Sequence, residues 1–241
     1  MNRDTQIVIG PDGTVLGATG ELAPGLIDVH LEACQGLPRE VRDAGMALLL
    51  QLRQSTSRVV SRDVLVENGD RRVQLIAVDA LVIRRIATDL RTLLASKLAV
   101  LASQAAATDV TLTVSVADEV PAVVHVDAEK LAWSVTTLAG NALRYVQAGS
   151  RRLGSRSIAV RATLDSNATE VSIEVQDDGP GISPDTVARL FKRDGLNVQG
   201  AGLALLLMSD ICAAHGGSVD VRSRTAGPDR GTTVRMRFAL G

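Results

Sequence analysis

Aromatic residues are nearly missing from this 241-residue chain, which holds one Trp, one Tyr and two Phe. A core without rings has to be filled by Val, Leu, Ile and Ala. Net charge is also nearly missing, at -1, so nothing points to a nucleic-acid or anionic-membrane surface. The longest apolar runs are broken by charges before they could span a bilayer, and the N-terminus lacks a basic-then-apolar signal pattern. The only two cysteines, Cys34 and Cys212, lie far apart and match no metal spacing, which reads as two buried or partly buried thiols in a reducing compartment. What is present is 46% hydrophobic and 22% charged residues, the balance of a soluble globular protein long enough for one large domain or two small ones. The expectation is a cytoplasmic protein with no membrane or nucleic-acid partner.

The chain opens with two short β-favouring runs, 6–10 and 14–17, around Pro11-Asp12-Gly13. This is a hairpin signal, because Pro presets φ and Gly accepts a positive one. Helical spacing follows from Pro38 through Val41, Ala44, Leu48, Leu49 and Leu52. Two further strands, 58–67 and 71–78, flank Asn68-Gly69-Asp70, a second hairpin signal. The order strand, strand, helices, strand, strand, with "PDG" in the opening hairpin, resembles a small PAS-type sensory domain over residues 1–79. A generic α+β packing module is the alternative. His30 reads either as a haem ligand in a pocket of such a domain or as a surface residue.

From Ala80 to Ala107 the sequence has neither Gly nor Pro, and Ile83, Ile86, Leu90 and Leu93, then Leu94, Leu98 and Leu101, fall at helical spacing. Residues 80–107 therefore read as a connector helix. It either packs on its own domain or pairs with a second copy of itself to form a homodimer.

Residues 108–241 continue with strands over 110–116 and 123–126. Asp127 is placed to cap a helix from Ala128 to Tyr145, whose apolar face carries Leu131, Val135, Leu138 and Ala142. Asn141 is a polar residue inside that pattern, where a side-chain amide often serves a hydrogen bond or a ligand. Strands over 157–164 and 169–176 lead to Asp177-Asp178-Gly179-Pro180-Gly181-Ile182. A strand ending in a carboxylate and two glycines brings bare backbone close to whatever the carboxylate holds, although the same residues also spell an ordinary turn. A short helix from Pro184, a polar stretch 192–199 that reads as a mobile loop, a helix beginning at Gly200-Ala201-Gly202 and ending before Gly216-Gly217, and strands over 218–224 and 232–240 complete the chain.

Three of these features make chemical sense together. Glycines at a helix start leave N–H groups and the positive dipole end free for phosphate oxygens. An amide oxygen, Asn141, is suited to a Mg²⁺ that bridges those phosphates. A carboxylate on the far side, Asp177, is suited to accept a hydrogen bond from an exocyclic amine.

"LAGNALRY" (138–145), "DDGPGIS" (177–183), "RLFKR" (189–193), "GAGLAL" (200–205), "AAHGGSVDVRS" (213–223) and "GTTVRMRF" (231–238) resemble the N box, first glycine box, F box, second glycine box and closing strands of the sensor histidine kinase ATP-binding domain. That domain belongs to the wider family of the gyrase and Hsp90 ATPases. The resemblance covers 108–241 and implies an α/β fold: a Bergerat-type α/β sandwich with a mixed sheet carrying helices on one face, preceded here by the small α+β domain. It implies that ATP binds through Asn141, Arg144, Tyr145, Asp177, Gly179, Gly181, Ile182, Phe191, Gly200, Gly202, Leu203 and Thr232. Asp177 would take the adenine amino group and Asn141 the Mg²⁺. Arg144 would face the phosphates, and Gly200 and Gly202 would cradle them under a lid of about 183–199. His215 falls at a helix end and reads as structural.

Two departures qualify the implied activity. The phosphoacceptor His of the histidine kinases has no counterpart: "TDLRTLLAS" (88–96) resembles the acceptor pattern with Thr88 in its place, and His30, His125 and His215 lie in no acceptor context. Thr137 stands one helical turn before Asn141, where hydrolysing members of the wider family place Glu. A Thr hydroxyl is far too weak a base for that task at neutral pH. The expected function is that of a two-component sensor-kinase-like protein passing the ATP γ-phosphoryl group to a residue, His, of a histidine-phosphotransfer or response-regulator partner. An ATP-gated interaction module without kinase activity and an anti-sigma-type protein-serine kinase are the alternatives.

Overall fold

The computed structural model describes residues 5–11, 13–19, 25–26, 29–54, 59–66, 71–79, 83–149, 156–188, 190, 201–227 and 229–240. The chain divides into two compact units, Met1–Val82 with Leu190–Leu207 and Ile83–Arg189 with Met208–Gly241.

In the first unit, β1 (Thr5–Ile9) and β2 (Val15–Thr19) form the expected opening hairpin, closed by Gly10 N–H to Thr14 O at 2.8 Å. A 3₁₀ turn (Leu31–Ala33), α1 (Arg39–Gln54), β3 (Val59–Val66) and β4 (Arg71–Val78) follow. The sheet runs β2-β1-β4-β3, with β1 parallel to β4. Helix α1 packs on β3 and β4 and buries Val41, Leu48, Leu49 and Leu52, the positions its spacing marked. The Asn68-Gly69-Asp70 turn lies outside the described residues, but β3 and β4 pair antiparallel as that signal required. His30 is exposed, and its Nδ1 accepts the Glu32 N–H at 3.3 Å. Of its two readings, the surface one stands, with the imidazole capping the 3₁₀ turn.

The second unit begins with a correction. The stretch expected to be helical from Ala80 is not helical over its described residues 83–89. Ile86–Thr88 form a short strand, β5, and α2 spans Leu90–Ala106. Helical spacing lost here to a tertiary pairing, because β5 lies antiparallel to Val124–Val126. Asp89 then starts the helix: its carboxylate accepts the Arg91 and Thr92 N–H groups at 2.9 and 3.2 Å. Leu90, Leu94 and Leu98 are buried, and α2 packs on α3 and β6 inside this unit.

The remaining elements are β6 (Thr111–Val116), β7 (Val124–Val126), α3 (Ala128–Gly149), β8 (Ser157–Leu164), β9 (Glu170–Asp177), α4 (Pro184–Val187), α5 (Ala201–Ala214), β10 (Val219–Arg224) and β11 (Gly231–Ala239). The main sheet runs β10-β11-β9-β8-β6 and is mixed, parallel only between β6 and β8. Alternation sorts its faces. Val171, Ile173 and Val175 of β9 are buried with Ile158, Val160 and Ala162 of β8, where α3 covers them. Arg161, Glu174, Gln176 and Arg235 take the other phase, where Arg161 donates to Gln176 at 2.7 Å and Arg235 pairs with Glu174.

A buried polar cluster fixes the base of α3. Asp127 caps the helix by accepting the Lys130 N–H at 3.1 Å, and its carboxylate lies 3.3 Å from the fully buried Lys130 ammonium. Its own N–H donates to His215 Nε2 at 3.0 Å, so Nδ1 carries the proton and meets Ile211 O at 2.8 Å. Burial holds the His215 pKa below its usual value and keeps the ring neutral. His215 stacks edge-on against Phe238, a structural role as expected. The segment entering the unit fastens here too. Arg84 N–H donates to Asp127 at 3.1 Å and the Arg85 guanidinium to His215 O at 2.9 Å.

Candidate functional site

The site is built where β9 runs out. Asp177 closes that strand and pairs with Thr232 at the start of β11. Its carboxylate accepts the Gly179 N–H at 2.9 Å and is also bonded by the Thr232 backbone. Half-buried at the sheet end, it is pushed up to about 6 by desolvation; the two backbone bonds oppose the rise and the neighbouring Asp178 charge adds to it. Asp178 does different work. It points to the other face and accepts the Ser157 N–H and hydroxyl at 2.9 and 3.0 Å, tying β8 to the end of β9.

Backbone must come very close here, and two glycines allow it. Gly181 has φ +75°, and a Cβ on it would overlap the Arg224 carbonyl of β10. Gly231 has φ +140°, and a Cβ there would run into the Asp177 carbonyl. Around Gly179 the loop approaches α3, with Val146 N 3.6 Å from where a Cβ would stand. The next residue, Ile182, gives its N–H to Ser223 Oγ at 2.7 Å.

On α3, Asn141 is half-buried and its Oδ1 accepts from the Arg144 guanidinium at 2.8 Å. Arg144 and Tyr145 are exposed. Thr137 is half-buried one turn earlier. Thus Asp177, Gly179, Gly181, Ile182 and Thr232 are brought together at one end of the sheet, and Asn141 with Arg144 lies on the helix that this loop touches. Gly202 and Leu203 lie in the first turn of α5. Phe191 and Gly200, with most of the expected lid, lie outside the described residues.

Thr88 stands where the sequence resembles the acceptor pattern. Thr88 is buried in β5, not on a helix, and its hydroxyl donates to Ile86 O at 2.9 Å. Ser223 was missed by sequence reasoning. The one available signal was its phase: with Val219 and Val221 it occupies the inward positions of β10 while Arg222 and Arg224 point out, exposed. A groove of about 530 Å³ reaches Asp177 from the polar face and is lined by Ser157, Arg161, Gln176, Arg222 and Arg224. Its arginines are largely answered within the chain, Arg161 by Gln176 and Arg224 by Asp229 at 2.9 Å. Among the described residues, no helix is long and apolar enough to cross a membrane.

Residues 126–241 match the family of histidine kinase-, DNA gyrase B- and HSP90-like ATPases. The Staphylococcus aureus sensor protein SrrB is 30% identical over 119 residues, an alignment spanning 46% of this chain and 18% of that protein. The chain therefore covers less than a fifth of that relative's length. Among solved structures, full-length ShkA in complex with AMPPNP superposes with a TM-score of 0.55 at 25% identity, over 68% of this chain and 33% of that one. The catalytic domain of the histidine kinase ThkA superposes at 0.53 and 16% identity, over 65% of this chain and 96% of that one, and shares the fold. With the Asp177 loop, the mixed sheet and α3 in place, residues 126–241 are a domain of the histidine kinase-, gyrase B- and HSP90-like ATPase family, homologous to the corresponding part of sensor histidine kinases.

Proposed function

We propose that this domain binds ATP with Mg²⁺ and that the chain acts in two-component signalling, handing the γ-phosphoryl group to a histidine of a partner protein. The observation that carries the reading is Asp177. It is a half-buried carboxylate at a strand end, kept beside bare glycine backbone and flanked by a hydroxyl. Such a group costs stability in the free protein, and an exocyclic amine is the kind of donor that would offset that cost. The bound AMPPNP of ShkA supports an adenine nucleotide for this chain as well. Asn141 is the residue that would hold Mg²⁺: its Oδ1 is already oriented by Arg144, and Mg²⁺ bound mainly by phosphates and water asks few ligands of the protein. When bound, the ion neutralises phosphate charge. The chain's own part is to position the nucleotide and exclude the wrong attacking group, which is most of what phosphoryl transfer requires.

Thr137, in the place of a general base, fits transfer better than hydrolysis. The acceptor belongs to a partner of histidine-phosphotransfer or response-regulator type; the structure of ThkA with the response regulator TrrA offers a precedent for that kind of pairing. In this reading residues 1–79 form a PAS-like sensory part, the stretch through α2 joins it to the ATPase domain over 108–241, and α2 offers a surface for a homodimer. A second reading, an ATP-gated interaction module, draws on the fate of Thr88 and of the histidines: His30 and His125 are exposed outside any helix and His215 is buried.

The test uses ATP labelled at the γ-phosphate, with Mg²⁺, on the wild type and Asp177→Asn, alone and with isolated phosphotransfer partners. Binding lost in the variant, with label passed to a partner histidine, is the expected result. Binding without label on any partner favours the module, phospho-serine favours the anti-sigma-type kinase, and no binding sinks the proposal.

A further inference from the structure

Strand β10 delivers a hydroxyl where its pattern would otherwise place a third valine. Ser223 Oγ lies 2.7 Å from Ile182 N, 2.8 Å from Gly231 O and 3.0 Å from Thr232 Oγ1. A serine hydroxyl has one proton and two lone pairs, and this geometry uses all three. The proton goes to the Gly231 carbonyl, which can only accept. One lone pair takes the Ile182 N–H, which can only donate. The contact with Thr232 then has one possible polarity: Thr232 is the donor.

That assignment reaches the candidate site. Thr232 pairs directly with Asp177 across β9 and β11, so the two side chains stand on one face. With its proton committed to Ser223, the Thr232 hydroxyl has only lone pairs left. The Asp177 carboxylate, ionised above a pKa of about 6, is also an acceptor. The Asp177–Thr232 pair therefore offers acceptors side by side and no hydroxyl donor.

We propose that Ser223 is a positioning residue that pins the Gly181–Ile182 turn to β10 and β11 and holds Thr232 in its acceptor state, so that the site selects a 6-aminopurine nucleotide over a 6-oxopurine one. The inference rests on the adenine-nucleotide reading and adds to it the origin of base selectivity. A carbonyl at the 6 position would meet acceptors only, and an unpaired polar pair in a half-buried site discriminates more sharply than a change of shape.

The test measures Kd for ATP and for ITP, which differ at the 6 position, on the intact chain by titration calorimetry. The variants are Ser223→Ala, Ser223→Thr, Thr232→Val and the double variant. The fluorescence of Trp133, the only Trp, on α3, checks folding. Ser134→Ala is the control. It loses a buried hydroxyl bonded to Lys130 O at 2.8 Å, away from the Asp177 loop, and is expected to keep both affinities. Ser223→Ala should weaken ATP about five- to tenfold, the scale of one hydrogen bond. Because the freed Thr232 hydroxyl could then turn and donate to a carbonyl, ITP should lose less and the ATP:ITP ratio should shrink. Ser223→Thr should restore the ratio.

If Ser223→Ala does not fold, Thr232→Val decides, since it must shrink the same ratio with Ser223 intact. If it folds, the double variant should discriminate no worse than Thr232→Val alone. A wild type that binds ATP, with a ratio unmoved by Ser223→Ala and Thr232→Val, overturns this inference and leaves the ATP site standing. A wild type that binds neither nucleotide overturns both.

Discussion

Replacing Asp177 by Asn should make the free protein more stable while removing its nucleotide site. In the folded chain burial pushes this carboxyl up to about 6, from an ordinary value of 3.8. Its folded pKa is raised, so the stability linked to it is fully present below the unfolded pKa and is lost as pH rises through about 6. At pH 7.5 the ionised group costs at most ~3 kcal/mol, two pKa units at about 1.4 kcal/mol each. Asn carries no charge, keeps an oxygen for the Gly179 N–H, and should recover ~1–3 kcal/mol of that. For a unit of this size, each kcal/mol moves Tm by about 3–4 °C. Trp133 emission follows this unit selectively. The expected result is an unfolding midpoint raised by about 3–12 °C in the variant at pH 7.5, closing as pH falls below 6 and wild-type Asp177 takes up its proton. ATP should raise the wild-type midpoint and leave the variant's alone. A variant less stable than wild type at pH 7.5, or a gap that does not narrow in acid, would refute the assignment of the burial cost to this carboxyl.

Gly181→Ala forces a side chain into the left-handed region and into the Arg224 carbonyl. It should cost ~1–3 kcal/mol and weaken ATP binding, both read by Trp133 melts with and without nucleotide. Asp127→Ala removes the carboxylate beside the buried Lys130 ammonium and should cost ~3–5 kcal/mol; Lys130→Met should cost clearly less, and equal losses in chemical denaturation would count against the ion pair. Thr88→Val should not lower phosphate label in any transfer assay, because that hydroxyl is bonded to Ile86 O inside a strand; a loss of label in an equally stable variant would make it an acceptor.

Most strands could be read from alternation because one face of each is covered. Val171, Ile173 and Val175 mark β9, and Ile158, Val160 and Ala162 mark β8, as plainly in the sequence as in their burial. The site residues were legible for another reason: glycines that admit no Cβ and a carboxylate at a strand end leave a local trace. β5 left none. Three residues within a run of helical spacing formed a strand because Val124–Val126 offered a ladder, which no periodicity of their own could announce. The start signal was Asp89 with Thr92, whose hydroxyl lies 2.8 Å from the Asp89 carboxylate, but a cap inside an apparently continuous helix is easily passed over. Ser223 was hard to see because its three partners lie on two segments distant in sequence from each other, the Ile182 turn and the Gly231–Thr232 start of β11.

The fastening of Ile83–Asp89 has a mechanical side. A tension applied along the chain at Ile83 meets, in order, the Arg84 N–H on Asp127, the Arg85 guanidinium on His215 and the β5–β7 ladder. It is shed into the foot of α3 and the far end of α5 before α2 carries any of it. These two helices run on to Asn141 and from Gly202. The entry to the domain is thus a belay point held at Arg84 and Arg85.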